Sequence, residues 1–281
     1  MKSITKENFF FDLLRYTICA IVFFIIAVPL YISVMGGFKS VGQLRAMPMA
    51  LPDPFETSQY TNMLIGKSGY FWRELVNSLI VGLGTVATVL FTGTFAAYAL
   101  ARIKFKLNKA IYVYFWFGLL FPLAVAILPL YVQLRNFGLL DTRLGVILPQ
   151  AAFGLPMMLM LLRGFIKQIP MELEEAATMD GYGKFGFLFR IVLPLSTPIL
   201  ATVSVLSFVS SWNNFFTPLL VFNTQSKFTL PMGVMDFMGE HAADWNLILA
   251  FLTLAMIPAI IIYIFCQKYI VTGLTGGAIK G

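Results

Sequence analysis

Long apolar runs alternate with short polar stretches along this chain, and the run lengths set the reading. Residues 17–35 (TICAIVFFIIAVPLYISVM) carry no charge, and about 20 helical residues suffice to cross a hydrocarbon core. Comparable runs recur at about 75–100, 110–132, 144–162, 191–210 and 247–267. The pattern predicts an all-α polytopic membrane protein with six spans, a single transmembrane domain over residues 1–281. Lys2, Lys6 and Arg15 precede the first run and imitate a signal peptide. The run is longer than a signal core, and no small-x-small cleavage site follows closely, so it reads as a retained helix.

The connections differ in kind. Residues 36–74 are polar and broken by Pro48, Pro52 and Pro54. The second run repeats small residues every fourth position, Gly84-Thr88-Thr92-Ala96 and Gly93-Ala97-Ala101, a spacing that lets helix backbones approach closely in lipid. The connection at about 163–190 is the longest on its side and the only one there with several acids. Pro170 can begin a helix and Asp180-Gly181 can end one, with strong helix formers between them (MELEEAATMD). A second short segment, YGKFGFLFRIVL, leads into the fifth run, where Pro194 and Pro198 remove backbone donors and permit a bend.

Composition confirms the solvent. Apolar residues make up 59% of the chain and charged residues 12%, with mean hydropathy +0.83; a soluble domain is about a quarter charged. Six spans put both termini on one side, and that side holds 13 of the 20 lysines and arginines but 6 of the 13 acids. The whole net charge of +7 therefore lies on one face, which the positive-inside rule makes cytoplasmic. Short-loop topology signals of this kind are not a nucleic-acid stripe.

Little supports chemistry within the chain. Cys19 and Cys266 lie in apolar runs without paired spacing and read as packed thiols, and His241 is the only histidine, so neither a metal site nor a disulfide is expected. Gly66-Lys67-Ser68 imitates the end of a phosphate-binding loop, but position 61, where such a loop needs glycine, is Thr61. A secondary carrier would bury ionisable groups within its spans, and the six runs contain no Asp, Glu, His, Lys or Arg. A membrane enzyme would need a cluster of His, Asp, Glu or Cys at one depth, and none is visible.

Two readings of residues 171–189 stand side by side. As a docking surface, Ala176 and Ala177 admit a close partner, Glu174 and Glu175 accept charged hydrogen bonds, and Phe185, Phe187, Leu188 and Phe189 supply apolar anchors. Alternatively, the segment rests on lipid headgroups as an amphipathic helix. Near the end of the fifth run, Ser207, Ser210, Ser211, Trp212, Asn213 and Asn214 offer hydroxyls, amides and an indole face suited to a sugar. Trp212 is equally suited to interfacial anchoring or gate packing.

Glu175-Ala176-Ala177, then Gly181 after three residues, then Ile191-Val192-Leu193-Pro194 after nine resembles the EAA motif of importer-type ATP-binding cassette permeases, with no departure. Tyr60-Thr61-Asn62, Asn77-Ser78, Trp212-Asn213-Asn214 to Pro218, Thr229-Leu230-Pro231 and Gly273-Leu274-Thr275 to Gly281 look like carbohydrate permeases, closest to the six-helix subunit of maltose-type importers. The resemblance covers nearly the whole chain. It implies ATPase-coupling residues at Glu174, Glu175, Ala176, Ala177, Asp180, Gly181, Phe185, Ile191, Leu193 and Pro194. It implies a second homologous permease subunit, two ATPase subunits that hold ATP and Mg, and an extracytoplasmic solute-binding protein that delivers sugar. This chain would then hold no cofactor and catalyse nothing. The setting implied is a bacterial or archaeal cytoplasmic (inner) membrane, crossed several times, with a glycine-rich tail extended towards the ATPases. An importer permease for a non-sugar solute is the alternative.

Overall fold

A computed structural model describes residues 6–65, 69–238 and 244–276, with side chains from residue 11 to 267 within those limits. Lys2, the Gly66-Lys67-Ser68 imitation, Glu240, His241 and the tail beyond Gly276 lie outside the described residues. The helices in chain order are α1 (Lys6–Gly36), α2 (Val41–Ala46), α3 (Ser58–Leu64), α4 (Tyr70–Arg102), α5 (Asn108–Leu120), α6 (Leu123–Asn136), α7 (Arg143–Gln168), α8 (Met171–Met179), α9 (Lys184–Phe187), α10 (Leu193–Leu195), α11 (Thr197–Trp212), α12 (Phe216–Val221) and α13 (Trp245–Gly276). A π-helical turn, Leu188–Val192, joins α9 to α10.

Among the described residues, four helices are long and apolar enough to cross a membrane: Phe11–Gly36 of α1, α4, α7 and Trp245–Gln267 of α13. The third and fifth runs are each a bent pair, so the total is six only if each pair is one span. Asn108–Leu120 and Leu123–Asn136 meet at 105°. The cause is local: a proline disfavours helical backbone in the residue before it, and Phe121, just before Pro122, is extended at φ −81°, ψ 112°. Lys184–Leu195 and Thr197–Trp212 meet at 75°. Pro194 and Pro198 supply no N–H there, and the wide π-helical turn relieves the clash that a proline ring makes with the carbonyl four residues earlier. The bend expected from these prolines is present.

Two compact units are distinguishable, Met1–Phe71 with Val234–Ile257 and Trp72–Gly233 with Pro258–Gly281. In the first, the Lys39 side chain is buried and its ammonium donates to the carbonyls of Met47 (2.9 Å) and Pro48 (2.8 Å), near the end of α2. Cations are favoured at helix C-termini. Cys19, expected to be packed, is exposed instead, because α1 is uncovered along its apolar length.

The second unit holds the larger core, where Val89, Ala97, Tyr98, Leu159, Leu162, Ile166, Phe187, Leu188, Val192 and Val203 are buried together. The small residues of α4 seat it against α7: a methyl added at Gly84 would lie 2.6 Å from Ile147, and one at Gly93 3.3 Å from Leu155 and Leu162. Two of the carbohydrate-permease motifs meet in this unit. Asn77 donates to the carbonyls of Ser226 (2.9 Å) and Phe228 (3.0 Å), and the Ser78 hydroxyl accepts from the Leu230 N–H (2.8 Å). They staple the segment before Pro231 to the start of α4. The tail departs from expectation, because α13 continues helically to Gly276.

Candidate coupling loop and polar cavity

Helix α8 begins after Pro170 and carries Glu172 and Glu174 in its first turn, where the helix dipole favours acids. Its end is a Schellman motif. The Tyr182 N–H bonds the Ala177 carbonyl (2.8 Å), the Gly181 N–H bonds that of Thr178 (3.0 Å), and Gly181 sits at φ +82°. Only glycine takes that conformation without penalty, which gives the motif's glycine a physical duty.

Three contacts hold the loop's inner side. Ala177 is buried in the core. The Tyr98 hydroxyl donates to the Lys184 carbonyl (2.8 Å). Arg102, its side chain 3% exposed, donates to the carbonyls of Ile166 (2.8 Å) and Ile169 at the end of α7 and pairs with Glu174 at 3.4 Å. Its planar fork suits several acceptors at once.

Part of the expected docking surface is therefore turned inward. Glu174 is engaged by Arg102, and Ala177, Phe187 and Leu188 are buried, Phe187 at 2% exposure. Glu175, Ala176, Asp180, Gly181, Phe185, Phe189 and Pro194 remain exposed, joined by Met171 and Met179. Ile191 and Leu193 are half-buried on the turn that leads to the bend. Arg102 was missed as a site residue, since its charge reads as a topology signal. Its position one residue after Ala101, at the end of the small-residue stripe, was the available clue.

The other candidate residues divide as clearly. A cavity of about 140 Å³ is lined by Thr85 of α4, Gln150 and Phe153 of α7, Ser207, Ser210 and Ser211 of α11, and Asn214 and Thr217 beyond it, among others. The Gln150 carbonyl oxygen accepts from Thr85 (3.2 Å) and from Ser211. Gln150 is 8% exposed and Ser207 4%, yet the Gln150 Nε2 and Ser207 Oγ have no partner. Buried polar atoms left unpaired are costly, and here they lie beside a space that a polar guest can fill. Trp212 and Asn213 do not line this cavity. Trp212, 6% exposed, packs on Phe208 with ring centroids 5.5 Å apart, and Asn213 is exposed, so Trp212 contributes to packing within the unit and not to this cavity wall. Thr85 and Gln150 were not foreseen, because hydroxyl and amide groups inside apolar runs read as ordinary packing.

No group of three or more His, Cys, Asp or Glu able to hold a metal occurs among the described residues. On the opposite side of the unit from α8, Asp141 accepts from Lys227 (2.7 Å), the Thr224 hydroxyl (2.6 Å) and the N–H groups of Asn223 and Thr224 (both 3.1 Å). Hydrogen bonds from Lys227 above all, then Thr224, hold its carboxyl far below the usual carboxylate range.

Comparison with known proteins agrees with this geometry. A crystal structure of a bacterial ABC transporter involved in import of the acidic polysaccharide alginate contains a chain of the same fold, with TM-score 0.81, 23% identity, and coverage of 94% of this chain and 98% of that one. The diacetylchitobiose uptake system permease protein NgcG of Streptomyces coelicolor is 34% identical, over 91% of this chain and 85% of its own length. The arabinooligosaccharides transport system permease protein AraQ of Bacillus subtilis is 33% identical, over 90% of each. Residues 89–276 match the family described as binding-protein-dependent transport system inner membrane component, and the chain belongs to that family.

Proposed function

We propose that this chain is the permease subunit of an ATP-driven importer and forms one wall of the path for a sugar or oligosaccharide. The observation that carries the substrate class is the α4–α7–α11 cavity, where hydroxyls and amides stand among apolar residues such as Val89, Phe153 and Met158, with no acid or base among its lining residues. Such a wall suits neutral, hydroxyl-rich solutes. It also disfavours a self-contained ion-coupled carrier, which would need an ionisable group there. The names of NgcG and AraQ, with their diacetylchitobiose and arabinooligosaccharide cargoes, support the same class. At about 140 Å³ the cavity is smaller than the usual 300–1,000 Å³ ligand pocket, as one wall of a path shared with a second permease would be.

The exposed side of α8 and α9 is the seat for an ATPase subunit, with Glu175, Ala176, Met179 and Phe185 at the contact. ATP and Mg²⁺ act in that partner, an external binding protein delivers the sugar, and both termini are cytoplasmic. Gln150→Leu in the reconstituted transporter is expected to raise the KM for sugar about tenfold, with basal ATP hydrolysis changed no further than loss of the Ser211–Gln150 bond changes it. An unchanged KM would refute the sugar-path reading of the cavity.

A further inference from the structure

Two features of the second unit remain unused by the transport reading, and both involve α5 and α7. The first is a basic cup of about 360 Å³ at the ends of α4 and α7, lined by Arg102, Lys104, Arg163 and Lys167, with no acidic residue in its lining. Arg102 is committed to Glu174 and the α7 carbonyls. Arg163 stacks on Tyr112 at 3.6 Å and donates to the Leu100 carbonyl at 3.3 Å. Lys104 and Lys167 are exposed and pair with no acid among the described residues. The second feature is an apolar groove of about 550 Å³ between α5 and α7, lined by Tyr114, Phe115, Phe117, Phe121, Ala152 and Pro156. Tyr114 and Phe117 are among its openly exposed residues.

The two features are in register. On α5, Asn108 of the cup, Tyr112 beneath Arg163 and Phe115 of the groove follow at spacings of four and three, so they share one helix face. On α7, Arg163 and Lys167 of the cup follow Pro156 of the groove by about two and three helical turns. Seven helical residues separate cup from groove on each helix, roughly 10 Å. One leaflet's hydrocarbon is about 15 Å deep. A cationic pocket and an apolar trough at that offset match the phosphate and upper acyl chain of one lipid.

We propose that the α5–α7 face binds one anionic phospholipid, its phosphate held in the cup by Lys104, Lys167 and Arg163 and its acyl chain in the groove. Basic pockets between membrane helices recognise such headgroups, and the free charge of the cup selects an anionic lipid over a zwitterionic one. The site does not depend on the transport reading.

Native mass spectrometry of the purified full-length protein with phosphatidylglycerol or phosphatidylcholine tests the site. Phosphatidylglycerol is expected to be retained preferentially. Lys104→Gln and Lys167→Gln should each lower that preference about fivefold and the pair roughly 30-fold; both residues are exposed, so folding is spared. Ala152→Phe, which fills the groove from an exposed position, should lower retention of both lipids. Equal retention of the two lipids by the wild type, or an unaffected double lysine variant, overturns the proposal. Displacement by millimolar inorganic phosphate, with Ala152→Phe silent, would make the cup a plain phosphate site and also overturns it. So does loss of the lipid when the chain assembles with a second permease, since the groove would then be a protein interface.

Discussion

Replacing Gly181 with alanine isolates a backbone effect at the end of α8. A Cβ added at this position meets nothing within 4 Å, so no collision contributes. The cost is the left-handed conformation itself at φ +82°, about 1–2 kcal/mol for a residue with a side chain. If the backbone relaxes instead, the bonds to the Thr178 and Ala177 carbonyls are lost. Helix α8 has nine residues, too few to persist alone, so its order depends on that cap, on buried Ala177 and on Arg102. A penalty of this size shifts the ratio of seated to unseated loops by about 5–30-fold. Asparagine tolerates the left-handed region better than alanine. Proline cannot adopt it and donates no N–H. Uptake by the reconstituted transporter should therefore fall in the order Gly, Asn, Ala, Pro, with more ATP hydrolysed per solute carried, while the melting temperature of the purified permease stays constant. Wild-type coupling in Gly181→Ala, or a worse result for asparagine than for alanine, would refute the reasoning.

Arg102→Met should lower the melting temperature of the permease, since hydrogen bonds to charged groups contribute about 1.5–3 kcal/mol each. Arg102→Lys should recover little of this, because an ammonium cannot reproduce the fork; full rescue by lysine would refute the clamp. At Asp141 the folded carboxyl titrates well below its unfolded value of about 3.9, so its contribution is complete above about pH 4 and fades only as pH falls further. The stability difference between wild type and Asp141→Asn should hold steady from pH 7 to 5, and a difference that closes within that range would contradict the assignment.

The apolar runs carried the fold class, and Pro170 with Asp180-Gly181 marked both ends of α8 to within a residue. The breaks at Phe121-Pro122 and Ser196 were less legible, because hydropathy records how much apolar chain is present and not its direction. Pro122 alone did not distinguish a kink from a 105° turn. Phe185 and Phe187 look equivalent in sequence, yet one is exposed and the other buried, and only the phase of α9 against the core separates them. Arg102 finds its acceptors at Ile166, Ile169 and Glu174, more than 60 positions along the chain, a distance over which local pattern holds no information. Gln150 is similar: its value lies in an amide left unpaired after folding.

The loop and the cavity lie far apart along the same two helices. Arg102 and Thr85 are both on α4, roughly 26 Å apart at 1.5 Å per residue, and Ile166 and Gln150 are both on α7, roughly 24 Å apart. The clamp thus ties α8 to a helix pair that carries one side of the cavity, and the close packing at Gly84 and Gly93 joins that pair along its length. Helix α11 carries the other side and is separated from α9 by the 75° bend, so it need not follow a push delivered at α8. The hydrogen bond from Ser211 to Gln150 crosses between these two parts, whereas the one from Thr85 to Gln150 lies within the pair. If the pair moves as a lever, only the first bond resists it. Ser211→Ala should then remove about 1 kcal/mol from the present arrangement and change basal ATP hydrolysis about fivefold, while Thr85→Ala leaves it unaltered. Equal effects of the two substitutions would mean that α4, α7 and α11 move together and that the bend is no hinge.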